Sequence, residues 1–107
     1  MKEDIRTFEE VLMATGVGEN FLILDSLKVS LYAENPSGAS VTVQVSFNGD
    51  DFFDYLTFTD TRFVDVLSPG IYARCAVIAP SAFDGVTVRW CATFERERRR
   101  EWGEGGE

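Results

Sequence analysis

Residues 41–53 limit what this chain can fold into more than any other stretch. Val41-Thr42-Val43-Gln44-Val45 alternates β-branched and polar side chains without a break. In an extended strand that puts the valines on one face, with Phe47 continuing their phase, and Thr42, Gln44 and Ser46 on the other. Asn48-Gly49-Asp50-Asp51 follows, and then the aromatic run Phe52-Phe53-Asp54-Tyr55. Asn-Gly between two such runs predicts a hairpin, because both residues tolerate the positive φ of a type I′ turn. Asp50 and Asp51 extend and solvate that turn. The stretch specifies antiparallel β structure and by itself names no chemistry.

The rest of the chain repeats the pattern. Leu27, Val29, Leu31 and Ala33 alternate with Lys28, Ser30 and Tyr32, and the first set is expected to face a core. Phe21-Leu22-Ile23-Leu24 reads as a short buried strand. Asn35-Pro36-Ser37-Gly38 reads as a turn in which proline presets φ and glycine accepts a positive one. Phe52 to Phe58 makes one aromatic strand or two short ones, and Arg62-Phe63-Val64-Asp65-Val66 is another alternating piece. Ile71 to Ala79 is apolar on both faces, which predicts a central strand covered on both sides near its middle. Val86, Val88, Trp90, Ala92 and Phe94 form the core phase of a last strand. Residues 3–14 fit two patterns. Ile5, Phe8 and Leu12 have helical spacing, whereas Thr7, Phe8, Val11 and the Gly16-Val17-Gly18 stop frame a strand, the reading favoured here. About eight short strands spaced by Gly, Pro and Asn turns predict an all-β chain, an antiparallel β-sandwich or jelly roll. It is expected to occupy residues 1–95 as one domain, followed by a charged, partly disordered tail over 96–107.

Charge and residue types exclude several functions. The net charge of −8 opposes binding of nucleic acid or of anionic membranes through a broad basic surface. No apolar run approaches the ~20 residues of a membrane-spanning helix. The N-terminus lacks the apolar core of a secretory signal, so synthesis and folding in cytoplasm are expected. The chain has no histidine, the commonest general base and zinc ligand. No phosphate-binding glycine loop or nucleophile elbow is present. The expectation is a non-enzyme with no cofactor and no bound metal.

Four features are candidates for function. Asp50, Asp51, Asp54, Asp60 and Asp65 concentrate carboxylates that could hold calcium, but their spacing does not fit a calcium loop, and a solvated turn explains them. Cys75 and Cys91 fall opposite each other if their two strands are neighbours. That register puts Trp90 on the face of Arg74, against the core phase, so free thiols are expected. Tyr32, Phe53, Tyr55, Tyr72 and Trp102 could stack on sugar rings or cover the core. Finally, Glu95 to Glu101 is locally basic at Arg98, Arg99 and Arg100. Phe8 in the N-terminal arm, these arginines and Trp102 are the candidate partner-binding residues.

One wider pattern spans residues 14–94. It runs Gly16-Val17-Gly18-Glu19, then Val41 to Gly49, Phe52 to Leu56, Gly70-Ile71-Tyr72-Ala73-Arg74 and Gly85-Val86-Thr87-Val88. In this order the chain resembles a recurring small β-sandwich protein encoded among the virion genes of tailed bacteriophages. The resemblance implies a structural virion role, as a head decoration or cement protein or a tail accessory, and a homo-oligomer, commonly a trimer, that binds capsid or tail proteins. The charged tail from Glu95 departs from the pattern. A carbohydrate-binding or host-adhesion module is the alternative expectation.

Overall fold

The computed structural model describes residues 4–94, all of them strand, turn or loop with no helix. Nine strands form: β1 (Asp4–Leu12), β2 (Gly16–Val17), β3 (Phe21–Leu22), β4 (Lys28–Glu34), β5 (Ser40–Ser46), β6 (Phe52–Phe58), β7 (Arg62–Asp65), β8 (Tyr72–Ile78) and β9 (Val86–Phe94). One antiparallel sheet has the order β1-β9-β4-β7. The second has the order β2-β8-β5-β6, with β3 also pairing β8. Strands β2 and β3 lie on the same strand as two pieces, Gly16↔Val77 and Phe21↔Ala73. Counted as one interrupted strand they leave eight, in the order of a jelly roll.

The core lies between the sheets. Val29, Leu31, Ala33, Val64, Val86, Val88, Trp90 and Ala92 are buried from the first sheet. Phe21, Val41, Val43, Val45, Phe58, Ala73, Cys75 and Val77 meet them from the second. Trp90 stacks on Phe21 across the gap, with ring centroids 5.4 Å apart. Strand β1 resolves the N-terminal ambiguity. It pairs with β9 over nine residues, from Asp4↔Phe94 to Leu12↔Val86, and a helix there would leave that side of β9 uncovered.

Several sequence expectations change. The Asn48-Gly49 connection is not a two-residue type I′ turn: Ser46 pairs with Phe52, and only Gly49 of the two turn residues has positive φ, +85°. The Ser46 hydroxyl accepts from the Asn48 and Gly49 amides at 3.2 and 2.7 Å, and Asn48 Oδ1 accepts from the Asp50 and Asp51 amides, both at 2.8 Å. These bonds favour a five-residue loop that folds back over Ser46. Ser46 is therefore fully buried, although its strand phase pointed it to solvent. Leu27 and Phe47 keep the core phase but are 54% and 55% exposed, because both lie beyond the end of the opposing sheet.

Strand β8 is central in its sheet but covered on one face only. Ala73, Cys75 and Val77 are buried, whereas Ile78 on the other face is 66% exposed. The Cys75–Cys91 juxtaposition fails for the same topological reason. Strands β8 and β9 belong to different sheets, so Cys75 points into the core while Cys91, beside Thr7 and Ser30, lies half-buried on the outer face. Both thiols are free. Burial, and then the charge of Glu10, pushes the Cys75 thiol up to about 12. Titration of the folded chain with a thiol reagent at neutral pH should therefore count one fast thiol, and unfolding should release the second. Equal rates for the two in the native state would mean that Cys75 is not enclosed.

Candidate functional site

Three loops meet at one end of the sandwich and build an exposed apolar surface. The first runs from β3 to β4. Its tight turn carries Asp25 at φ +65°, and the Ser26 hydroxyl donates to the Ile23 carbonyl at 2.6 Å. Aspartate tolerates this left-handed conformation better than most side chains. The turn leaves Leu24 and Leu27 exposed. The second is the 47–51 loop, which presents Phe47. The third runs from β7 to β8. Val66 is pinned inward by its amide donating to the Val29 carbonyl at 2.9 Å, which throws Leu67 outward, 82% exposed. Gly70 is needed at the end of this loop, since a Cβ there would stand 2.5 Å from Val45 Cγ1.

A bulge in β6 adds the last aromatic. Val43 pairs with Leu56 and Gln44 with Asp54, so Tyr55 is the extra residue. The shift lets Phe53 share the inward phase of Leu56 and Phe58, yet it lies past the core and is 59% exposed. Phe53 meets Phe47 edge-on, centroids 6.3 Å apart. Tyr55 ties the third loop down: its hydroxyl donates to the Asp65 carbonyl at 3.3 Å and accepts from the Leu67 amide at 3.1 Å. Two shallow hollows result, of about 530 and 300 Å³, with Phe47 and Ser68 lining both. Leu24, Leu27, Phe47, Phe53 and Leu67 thus form an apolar surface fixed by hydrogen-bonded loops.

A second surface is the outer face of the first sheet. Register places Glu9, Arg89, Tyr32 and Phe63 in one row across four strands. Arg89 Nε lies 3.3 Å from Glu9 Oε2, and its guanidinium stands 5.8 Å from the Tyr32 ring centroid. Tyr32 and Phe63 lie 4.6 Å apart, tilted by 42°. Small side chains in the next row, Thr7, Cys91 and Ser30, leave a hollow of about 510 Å³ beside them.

The candidate residues from the sequence do not gather at one place. Phe8 sits on β1 opposite Trp90, half-buried against the core. Arg98, Arg99, Arg100 and Trp102, and the 96–107 tail as a whole, lie outside the described residues. The carboxylates are dispersed. Asp60 is held by Arg62 at 2.8 Å, which keeps its carboxyl below the usual range, Asp54 accepts from Gln44, and Asp51 accepts from Asn48. Among the described residues no three His, Cys, Asp or Glu side chains are placed to hold a metal ion. Alternation along the strands does not reveal Phe47, Leu27 and Leu67 as surface residues. The available signal was their position next to loop residues at strand ends, where the opposing sheet runs out.

The fold has a counterpart among solved structures. The SPBc2 prophage-derived protein YomS superposes with a TM-score of 0.69 over 87% of this chain and 96% of its own length. Sequence identity over that match is 13%, so the likeness is one of fold. No family model matches the chain, and no curated protein sequence does.

Proposed function

We propose that this chain is a non-enzymatic structural protein of a tailed-phage virion, made in the host cytoplasm, that decorates the capsid as a homo-oligomer. The observation that carries the reading is the apolar loop end. Leu24, Leu27, Phe47, Phe53 and Leu67 hold a rigid surface that water solvates poorly and a shell subunit would cover. The fold shared with a prophage-derived protein supports the phage setting. Many copies on a repeating shell would turn individually weak contacts into stable occupancy. The acidic surface keeps the free protein soluble before it docks.

The test is particle composition. Virions from a host that encodes the chain, purified by density, should contain it in many copies per particle. The double variant Phe47→Ser/Phe53→Ser should remain folded, because both side chains are more than half exposed. Its occupancy on particles should fall at least about tenfold, equivalent to about 1.4 kcal/mol per site. Particles that lack the wild-type chain would sink the reading.

The Tyr32–Phe63 pair favours a second reading, a carbohydrate-binding or host-adhesion module. Two adjacent rings on an open face, one of them 78% exposed, with Arg89 and Glu9 beside them, offer stacking and hydrogen bonds to a sugar. A glycan array distinguishes it: binding that disappears in Phe63→Ala supports the module, and a blank array removes it.

A further inference from the structure

Strand β1 is the longest edge of the sandwich, and its sequence is complementary to itself. It closes one side of its sheet, with β9 on one flank and no strand among the described residues on the other. A nine-residue free edge is a template for another strand, and proteins commonly protect such edges with inward-pointing charges. Here Arg6 and Glu10 lie in the core-facing phase of β1 with Phe8 and Leu12, while Ile5 and Val11 are exposed on the outer face. Lone charges would block pairing, but this pair is placed symmetrically about Phe8. When two copies of β1 run antiparallel with Phe8 on the axis, Arg6 of each stands opposite Glu10 of the other. Ile5 then stands opposite Val11, and Thr7 opposite Glu9. Opposite charges and apolar pairs facing each other across strands stabilise a pairing.

The same sequence rejects the neighbouring registers. Centred on Thr7, the pairing sets Asp4 against Glu10 of the second copy. Centred on Glu9, it sets Glu9 against Glu9. Both are like-charge contacts, which destabilise, and a slip of one residue sets the core face of one copy beside the outer face of the other. Glu10 accepts from the Glu19 amide at 3.2 Å through Oε1, and its Oε2 lies buried against Gly18 without a hydrogen-bond partner; turned outward to the edge, the carboxylate would gain the donor it lacks. Arg6 uses one guanidinium nitrogen on the Leu22 carbonyl, 2.9 Å away, and keeps further N–H groups to give.

We propose that two copies of this chain join edge to edge through β1, antiparallel about Phe8, with Arg6 of each copy donating to Glu10 of the other. The contact is isologous and closes as a two-fold dimer. It deepens the oligomeric part of the function proposed above, and it takes the place of the trimer that the phage resemblance implies.

Light scattering from micromolar to high-micromolar concentration reads the outcome, with folding checked by circular dichroism. The wild-type chain should show twice its 12.0 kDa mass. Arg6→Glu and Glu10→Arg should each raise the dissociation constant at least about tenfold, as like charges now meet. The double swap Arg6→Glu/Glu10→Arg should restore the dimer. If a charge reversal unfolds the chain, Arg6→Gln and Glu10→Gln test the same contact with a smaller shift. A wild-type monomer at every concentration, a trimer, single variants with unchanged mass, or a folded double variant that stays monomeric each overturns the proposal. Failure here is separable from failure of the virion reading, which is scored by particle occupancy of the Phe47 and Phe53 variants.

Discussion

Trp90→Ala is expected to lower the unfolding free energy by about 3–5 kcal/mol, a large share of the ~5–15 kcal/mol typical of a domain. Trp90 is 1% exposed at the centre of β9, between Phe8 on β1 and Leu31 on β4, and it stacks on Phe21 from the opposite sheet. Truncation removes the contact between sheets, and strands hydrogen-bonded on both sides of β9 cannot collapse into the space. Trp90→Phe separates packing from polarity. The indole Nε1 is buried with no hydrogen-bond partner, so phenylalanine removes an unsatisfied donor while keeping an aromatic ring on Phe21. Its stability should therefore lie much closer to wild type than that of the alanine variant. Urea midpoints at constant m-value check both. A loss in Trp90→Phe equal to that in Trp90→Ala would show that the unpaired donor is not a cost.

Asn35→Ala is expected to cost about 2–4 kcal/mol, although it removes no apolar packing, because each buried group left unpaired costs about 1–3 kcal/mol. Asn35 is 3% exposed in the connection between β4 and β5. Its Nδ2 donates to the Ala39 carbonyl at 2.8 Å, and its Oδ1 accepts from the Ala39 amide at 3.0 Å. The side-chain amide thus acts as a strand partner for Ala39, itself buried, and alanine orphans both backbone groups. Asn35→Asp is the sharper test. A carboxylate still accepts from the Ala39 amide but faces the Ala39 carbonyl with no hydrogen to give, so this variant should be poor at neutral pH. It should recover on acidification, when the protonated carboxyl donates. The sign follows from linkage: a native state that prefers the protonated group loses stability as pH rises. Denaturation at acidic and neutral pH decides, and a pH-independent loss in Asn35→Asp would show that the Ala39 carbonyl bond is not the one that matters.

The exposed surfaces differ in how they are built, and this affects what each can do. The loop end is apolar and held by backbone hydrogen bonds from Val66, Ile71 and Ile23, so its loops are already ordered, and the docking proposed above would cost little entropy. The β1 edge offers backbone groups and a charge pattern, which select a register more than they supply apolar burial. The two surfaces can therefore be altered separately, as the Phe47/Phe53 and Arg6/Glu10 variants do.

Alternation along the chain determined the class and most of the core. The valines of β5 and the odd–even phase of β9, from Val86 to Phe94, read correctly because a strand's side chains alternate about a fixed pleat wherever the strand ends up. Turn positions were legible for a similar local reason: proline, glycine and asparagine restrict or extend φ on their own. The sequence did not determine what covers each face. Ser46 points outward and is buried under its own loop, whereas Phe47 and Leu27 point inward and are exposed where the other sheet stops. Nor did it determine neighbours. Cys75 and Cys91 are close in sequence pattern yet lie in different sheets, and residues 4–12 become a strand only because β9 supplies its hydrogen bonds. Local chemistry fixes the direction of a side chain, but burial and adjacency depend on how strands from distant parts of the chain are ordered. The apolar loop end and the self-complementary edge both arise at that level, and so only the tertiary structure could locate them.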